Sequence, residues 1–288
     1  MHIGAIFPQT EIGADPVVIR DWAQAVEGMG YHHILAYDHV LGASTASRPG
    51  WRGAYTSANQ FHEPFVLFGY LAGVTQRVEL VTGVIILPQR QTALVAKQTA
   101  EVDVLSGGRL RLGVGVGWNP VEYEALNEDF QTRGARSEEQ IAVLRALWRD
   151  PAVTFHGRWH HIEDAGINPL PVRRSIPIWL GGAAEATLRR AGTLGDGWMP
   201  QTSPNDEARA MVQRLLAYAH EAGRDERSIG IEARLTIALK PEDAWAQYAA
   251  DWQALGATHL TVNTMGAGFA TPQQHLAALG RAKAALGV

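Results

Sequence analysis

The residues best placed to do chemistry lie where short apolar runs end. Asp38-His39 follows one such run, and Thr82-Gly83-Val84, Gly113-Val114-Gly115-Val116-Gly117-Trp118 and Gly181-Gly182 follow three others. A histidine titrates near neutral pH, so His39 can hold or pass a proton. Glycines let a flat or phosphorylated ligand approach the backbone, and backbone N–H groups near helix starts favour phosphate. No protein nucleophile stands out, since there is no Gly-x-Ser-x-Gly elbow and no cysteine. Metal-dependent barrel hydrolases want a His-x-His on the first strand, where this chain has Ile3-Gly4-Ala5-Ile6. No metal ligand is assigned. The protein's part is then to hold an organic cofactor against a small-molecule substrate, because the hard chemistry belongs to the cofactor.

Such positions need a scaffold that gathers strand ends on one face. Short Val/Ile/Leu runs alternate with amphipathic segments from end to end, the sequence form of repeated βα units. Strands are predicted at 2–7, 33–37, 78–82, 109–114, 176–180, 197–200, 229–236 and 258–262. Helices are predicted at 16–29, 63–75, 91–105, 120–148, 184–193, 205–222, 241–255 and 272–286. Asp15-Pro16 and Asn119-Pro120 open two of them, and Gly30, Gly107 and Gly223 lie just past three helix ends. Eight strands each followed by a helix predict an α/β fold, a closed (β/α)8 (TIM) barrel. The 288 residues suit one domain spanning 1–288, close to the roughly 250 typical of that barrel.

Two connections exceed what a minimal barrel needs. His39 to His62, with Trp51, Tyr55 and Phe61, follows strand 2 on the active face and is a candidate lid. Asp150 to Ser175 reads as a small hairpin inserted before strand 5. The Rossmann reading of the strand-4 glycines is weaker, because they fall at the first, third and fifth places, on the fourth strand.

Composition excludes several classes. With 46% hydrophobic and 19% charged residues the chain can bury a sizeable core, and a net charge of -4 with scattered Lys and Arg gives no footprint for nucleic acid. Met1 to Pro8 reads as a first strand and no run is long enough to span a bilayer, so no membrane association and a cytoplasmic location are expected.

The motifs also carry a resemblance. Asp38-His39-Val40, Thr82-Gly83-Val84, Ala96-Lys97-Gln98, Leu105-Ser106-Gly107-Gly108-Arg109, the Gly113–Trp118 segment, Ile178-Trp179-Leu180-Gly181-Gly182 and Gly195-Asp196-Gly197-Trp198 fall in order over nearly the whole chain. Together they resemble the bacterial luciferase-like monooxygenase superfamily, and within it the chain is most similar to coenzyme F420-dependent oxidoreductases. The resemblance implies that His39 lies beside the deazaflavin ring as hydrogen-bond partner or proton donor; Asp38, next to it among the candidate cofactor-site residues, reads as capping the long loop or orienting His39. It implies a non-proline cis peptide at Gly83-Val84, after Thr82, forming a bulge behind the ring. It implies that Gly115, Val116, Gly117, Trp118, Gly181 and Gly182 cradle the cofactor side chain and its phosphate, and that the protein is a homodimer.

Two departures sharpen it. Flavin-using luciferases carry a cationic residue inside the strand-4 motif to meet the FMN phosphate, and here Val116 holds that place, which favours deazaflavin. The F420-dependent sugar-phosphate dehydrogenases carry an acidic residue where this chain has Trp118, with Glu122 one helical turn later, so a sugar phosphate is not the expected substrate. Trp51 and Glu122 are the expected substrate-pocket residues. The implied reaction is hydride transfer between the deazaflavin and a C=C, C=N or C–OH group; the alternatives are an FMN-dependent monooxygenase and a non-catalytic cofactor-binding protein. His32, His33, His156, His160 and His161 read as structural, Asp196 as a stabilising residue at the opposite end of the barrel, Trp198 as core or pocket wall, Lys97 as a solvated partner of Glu101, and Gln98 as inward-facing with Leu94, Val95, Val102 and Leu105.

Overall fold

The apolar runs are short and buried along nearly their whole length, the pattern of parallel strands covered on both faces rather than one. In the computed structural model, which describes residues 1–287, they form β1 (His2–Ile6), β2 (His33–Ala36), β3 (Glu79–Thr82), β4 (Ile85–Ile86), β5 (Leu110–Gly115), β8 (Ile178–Gly181), β9 (Gly197–Met199), β10 (Gly230–Thr236) and β11 (His259–Asn263). The short β6 (Val153–His156) and β7 (His161–Ala165) pair antiparallel as a separate hairpin, as the sequence predicts.

The other pairings are all parallel, in the order β3-β2-β1-β11-β10-β9-β8-β5-β4, and β3 also pairs with β5. That last pairing closes the sheet on itself. β3 and β4 are two halves of one stave, separated at Gly83-Val84, so the closed barrel has eight staves.

Helices α1 (Pro16–Gly28), α2 (Pro64–Val74), α3 (Thr92–Ser106), α4 (Pro120–Ala125), α5 (Arg133–Arg149), α6 (Glu185–Leu194), α7 (Asp206–Glu221), α8 (Trp245–Ala254) and α9 (Pro272–Leu286) surround it. Their ends are set locally. The Asp15 carboxylate accepts the Val17 N–H at 2.8 Å and Asn119 accepts that of Val121 at 3.2 Å, satisfying donors that a first turn leaves free. Gly107 closes α3 at φ +71°, where a side chain would be strained. The helices bury Trp22, Leu71, Trp148, Leu188, Trp252 and Leu279 against the staves. No helix among the described residues is long and apolar enough to cross a membrane.

Three expectations are corrected. The helix predicted over 120–148 is two, because the chain reverses through Asn127 at φ +57°, a conformation asparagine tolerates better than most residues. The helix predicted from 241 starts at Trp245, after a 3-10 turn at Glu242–Ala244. On α3 the inward face is Thr92, Val95, Ala96, Thr99, Ala100, Val102, Asp103 and Ser106, whereas Leu94 and Leu105 are exposed and Gln98 is only half-buried. Small and hydroxylated residues let α3 lie close between α2 and α5, and Thr99 satisfies its own hydroxyl on the Val95 carbonyl at 2.7 Å.

Candidate functional site

The carboxyl ends of the staves gather the residues singled out in the sequence. Asp38, just past β2, is buried and accepts the Ile86 N–H at 3.0 Å and the Arg90 guanidinium at 2.7 Å. Burial pushes its carboxyl up, and Arg90 and the Ile86 amide draw it only part of the way back. Arg90 also reaches Glu63 at 2.9 Å, and Glu63 caps α2 by accepting the Val66 N–H. Asp38 therefore ties the end of β2 to β4 and, through Arg90, to the far end of the long loop.

The peptide bond Gly83-Val84 is cis. Val84 lies across Gly115 and Gly181, and a Cβ at either glycine would occupy the space of its methyl groups. These two glycines thus have a structural cause: they make room for the bulge. Thr82 is buried and donates its hydroxyl to the Gly113 carbonyl at 2.7 Å, fastening β3 to β5. Gly117 turns at φ +68°, and Tyr123 donates to the Val116 carbonyl at 2.6 Å, so this exit loop is held from below by α4. Gly182, at φ +129°, gives its N–H to the Met199 carbonyl at 3.2 Å and receives the Trp198 indole N–H at 2.7 Å. Its N–H is taken up by β9 rather than left for a phosphate. Trp198 is core.

His39 stands among Tyr55, Phe61 and Trp118, with ring centroids 4.9, 4.8 and 6.0 Å away. These side chains, with Asn59 and Asn119, line a cavity of about 290 Å³. Trp118 is 42% exposed there. Trp51 packs against Trp118 at 5.9 Å and donates to the Tyr55 carbonyl at 3.1 Å, so it stands behind the cavity wall.

Glu122 does not line this cavity as the sequence reading expects. Pro120 opens α4 so that Glu122 points under the start of the long loop, where it is 1% exposed. Its carboxylate accepts the N–H groups of Val40 at 2.6 Å and Leu41 at 3.3 Å and the Gln89 amide at 3.3 Å, and lies 3.5 Å from His39 Nδ1. Burial alone would raise this carboxyl, but His39 and the two loop amides outweigh it and hold it below the ordinary glutamate value.

Across the mouth, Ile6, Leu35, Val84 and Met199 form an apolar patch edged by Tyr37, Gln201 and Arg234, with Glu232 and Thr261 also reaching it. Arg234 donates to the Tyr37 hydroxyl at 3.3 Å, and burial pushes the Tyr37 phenol up. Beyond Arg234 a second cavity, about 330 Å³, is lined by Pro200, Ser203, Thr236, Lys240 and Tyr248. Among the described residues neither Arg234 nor Lys240 has a carboxylate within ion-pair distance. Sequence reasoning missed Arg90, Gln89, Tyr37 and Arg234, since no local motif marks a residue that matters through a partner tens of positions away. Apolar side chains with hydrogen-bonding groups at their edge are what a planar heteroaromatic ring needs, so an organic cofactor is compatible with the residues present.

Fold and site together define a parallel (β/α)8 barrel with a histidine-bearing, aromatic mouth. The model of the luciferase-like monooxygenase family matches residues 4–286, and the chain belongs to that family. It is 35% identical over 207 residues to the uncharacterized protein Rv0940c of Mycobacterium tuberculosis, covering 70% of this chain and 71% of the relative. It is 28% identical over 234 residues to an FMNH(2)-dependent dimethylsulfone monooxygenase of Pseudomonas putida, covering 80% of this chain and 61% of that one. Among solved structures, an F420-dependent secondary alcohol dehydrogenase in complex with an F420-acetone adduct superposes with a TM-score of 0.79 at 18% identity, over 99% of this chain and 98% of that one. A coenzyme F420 dependent tetrahydromethanopterin reductase from Methanopyrus kandleri gives 0.76 at 15% identity, over 97% of each chain. These last two likenesses establish a shared fold.

Proposed function

We propose that the chain is an oxidoreductase that binds coenzyme F420 and transfers a hydride between the deazaflavin and a small organic substrate bearing a C=C, C=N or C–OH group. The observation that carries the reading is that the exit segment Gly115-Val116-Gly117-Trp118, beside the space for the cofactor side chain, holds no lysine or arginine. FMN ends in a phosphate monoester that is close to a dianion at neutral pH, whereas the F420 phosphate is a diester carrying a single charge. A segment of glycines with Val116 and Trp118 is better matched to the latter.

When bound, the deazaflavin supplies or accepts a pair of electrons with a proton as hydride. The chain's own residues do the rest. Ile6, Leu35, Val84 and Met199 give the ring an apolar floor that keeps water from it. Glu122 holds His39 Nδ1, which leaves Nε2 as the nitrogen that gives or takes the balancing proton. Gly115, Val116, Gly117 and Trp118 on one side and Gly181 and Gly182 on the other border the space for the cofactor side chain. Trp51 supports Trp118, which closes the substrate side.

An FMN-dependent monooxygenase is the second reading. Its support is the name of the Pseudomonas putida relative and that of a pyrimidine monooxygenase of Allorhizobium ampelinum, 30% identical over 227 residues. Arg234 and Lys240, without carboxylate partners, are the cations an FMN phosphate would need.

Fluorescence titration with oxidised coenzyme F420 and with FMN, side by side, separates the two. Tight binding of F420 alone, with His39→Ala retaining that binding but losing turnover by roughly 100-fold or more, supports hydride transfer. Preference for FMN overturns it, and binding of neither supports a protein without turnover. We also propose a homodimer joined through α2 and α3, whose Val66, Tyr70, Leu94 and Leu105 are exposed apolar side chains.

A further inference from the structure

At the opposite end of the barrel, four adjacent staves begin with imidazoles and a carboxylate. The pairing of β1 with β11 sets His2 beside His259, and that of β2 with β3 sets His33 beside Glu79. His32 precedes β2, its ring 4.0 Å from that of His2 and 5.7 Å from that of His259. One ligand atom each from His32, Glu79 and His259 lies within 4.8 Å of the others.

The electrostatics beneath them are set by three buried or half-buried groups. Arg111 pairs with Glu79 Oε2 at 2.9 Å and with Glu232 at 2.5 Å, and Glu232 also holds His33 Nε2 at 2.8 Å. Glu79, Glu232 and Arg111 together carry a charge of -1 with the imidazoles neutral, while Lys283 borders the adjoining cavity. Arg111 uses Glu79 Oε2 and leaves Oε1 for another partner. A cavity of about 250 Å³, bordered by His2, Gly30, Tyr31, His32 and Lys283, opens beside the cluster and provides an entry path and room for water ligands.

We propose that His32, Glu79 and His259 bind a divalent transition-metal ion of the zinc type, with His2 or water completing the shell. Two imidazoles and a carboxylate are a donor set that zinc favours. A shell about 2.0–2.2 Å in radius places donors no more than about 4.4 Å apart, so side-chain rotations suffice to close it. The ion ties β2, β3 and β11 together at the end of the barrel where these strands begin. Its role is to stabilise the barrel; turnover does not pass through it.

The test uses the metal-stripped full chain, without any added histidine tag, titrated with Zn²⁺ and with Co²⁺ as a visible-absorption probe at pH 7.5. One ion per chain should bind and raise the thermal midpoint. In His32→Asn and His259→Gln the affinity should fall at least tenfold and the thermal shift should vanish. The exposed hairpin cluster His156, His161 and Glu163, whose two imidazoles stack at 4.5 Å, is the rival site. Binding should persist in His156→Asn/His161→Asn. Unchanged binding in His32→Asn, loss of binding in the hairpin variant instead, or no binding at millimolar Zn²⁺ overturns the proposal. His32 has a side chain 39% exposed, so its variant carries the test should His259→Gln not fold.

Discussion

Glu122 and His39, 83 positions apart by number, meet at 3.5 Å, and the same carboxylate holds the backbone N–H groups of Val40 and Leu41. One side chain thereby orients the imidazole and anchors the loop that follows it.

Replacing Glu122 separates these two jobs. Glu122→Gln keeps an acceptor for the loop amides but loses the charge beside Nδ1. A partner that fixes a histidine's orientation is worth about 10- to 100-fold where metal-bound histidines have been measured. Turnover should fall by that order, with an altered pH profile and little change in unfolding midpoint. Glu122→Ala should in addition cost about 1–3 kcal/mol, since the amides of Val40 and Leu41 lose their acceptor. Steady-state kinetics across pH and denaturant unfolding of both variants check this; equal stability loss in the two would remove the anchoring role.

Val84 and the glycines beneath it should behave as one packed unit. Gly181→Ala places a methyl group in the volume of the Val84 side chain and should destabilise by about 1–3 kcal/mol. Val84→Ala opens that volume, so the double variant should recover much of the loss, a coupling visible in a double-mutant cycle. Additive losses would mean that Gly181 is required for another reason.

Acid should unfold the protein through identifiable carboxyls. Glu27 accepts the amides of Gln76, Arg77 and Val78, Glu139 holds the turn at Arg158–His160 together with the His160 ring, and Glu122 holds the loop start. Burial raises each carboxyl, but these partners outweigh it and leave all three below the ordinary glutamate value of 4.5. A carboxyl lowered on folding contributes stability above its unfolded value and loses it as pH falls through the folded one. Asp38 and Asp103, raised by burial, act in the opposite sense. The net expectation is a falling urea midpoint as pH drops below 4.5, with a shallower fall in Glu27→Gln. A midpoint that does not change between pH 6 and 3.5 would contradict it.

The barrel was legible because each of its parts is signalled locally: an apolar run, a Pro one place inside a helix, a Gly just beyond one. Asn127 was not, since nothing near it in sequence distinguishes a break from a long amphipathic helix. The inward face of α3 was misread because its apolar residues run nearly all round, and only the proximity of α2 and α5 selects the small ones. His39 was found by its place after β2, and the bulge at Gly83-Val84 through the resemblance. The side on which Glu122 lies depends on Pro120 and on α4 having only six residues, and the pairs Asp38–Arg90 and Tyr37–Arg234 exist only once the sheet has closed. His32, Glu79 and His259 come from distant parts of the chain and become neighbours for the same reason.

The connection from His39 to Glu63 is fastened at its two ends by residues of the frame: Glu122 grips Val40 and Leu41, and Arg90 grips Glu63. Between those fixings Tyr55 and Phe61 pack on the imidazole, while the exposed positions around Ser47 to Gly50 make no contact with it that constrains their length or composition. The segment is thus hung from the frame like a strap, so its middle can be recut while the two buckles and the two rings on His39 stay in place.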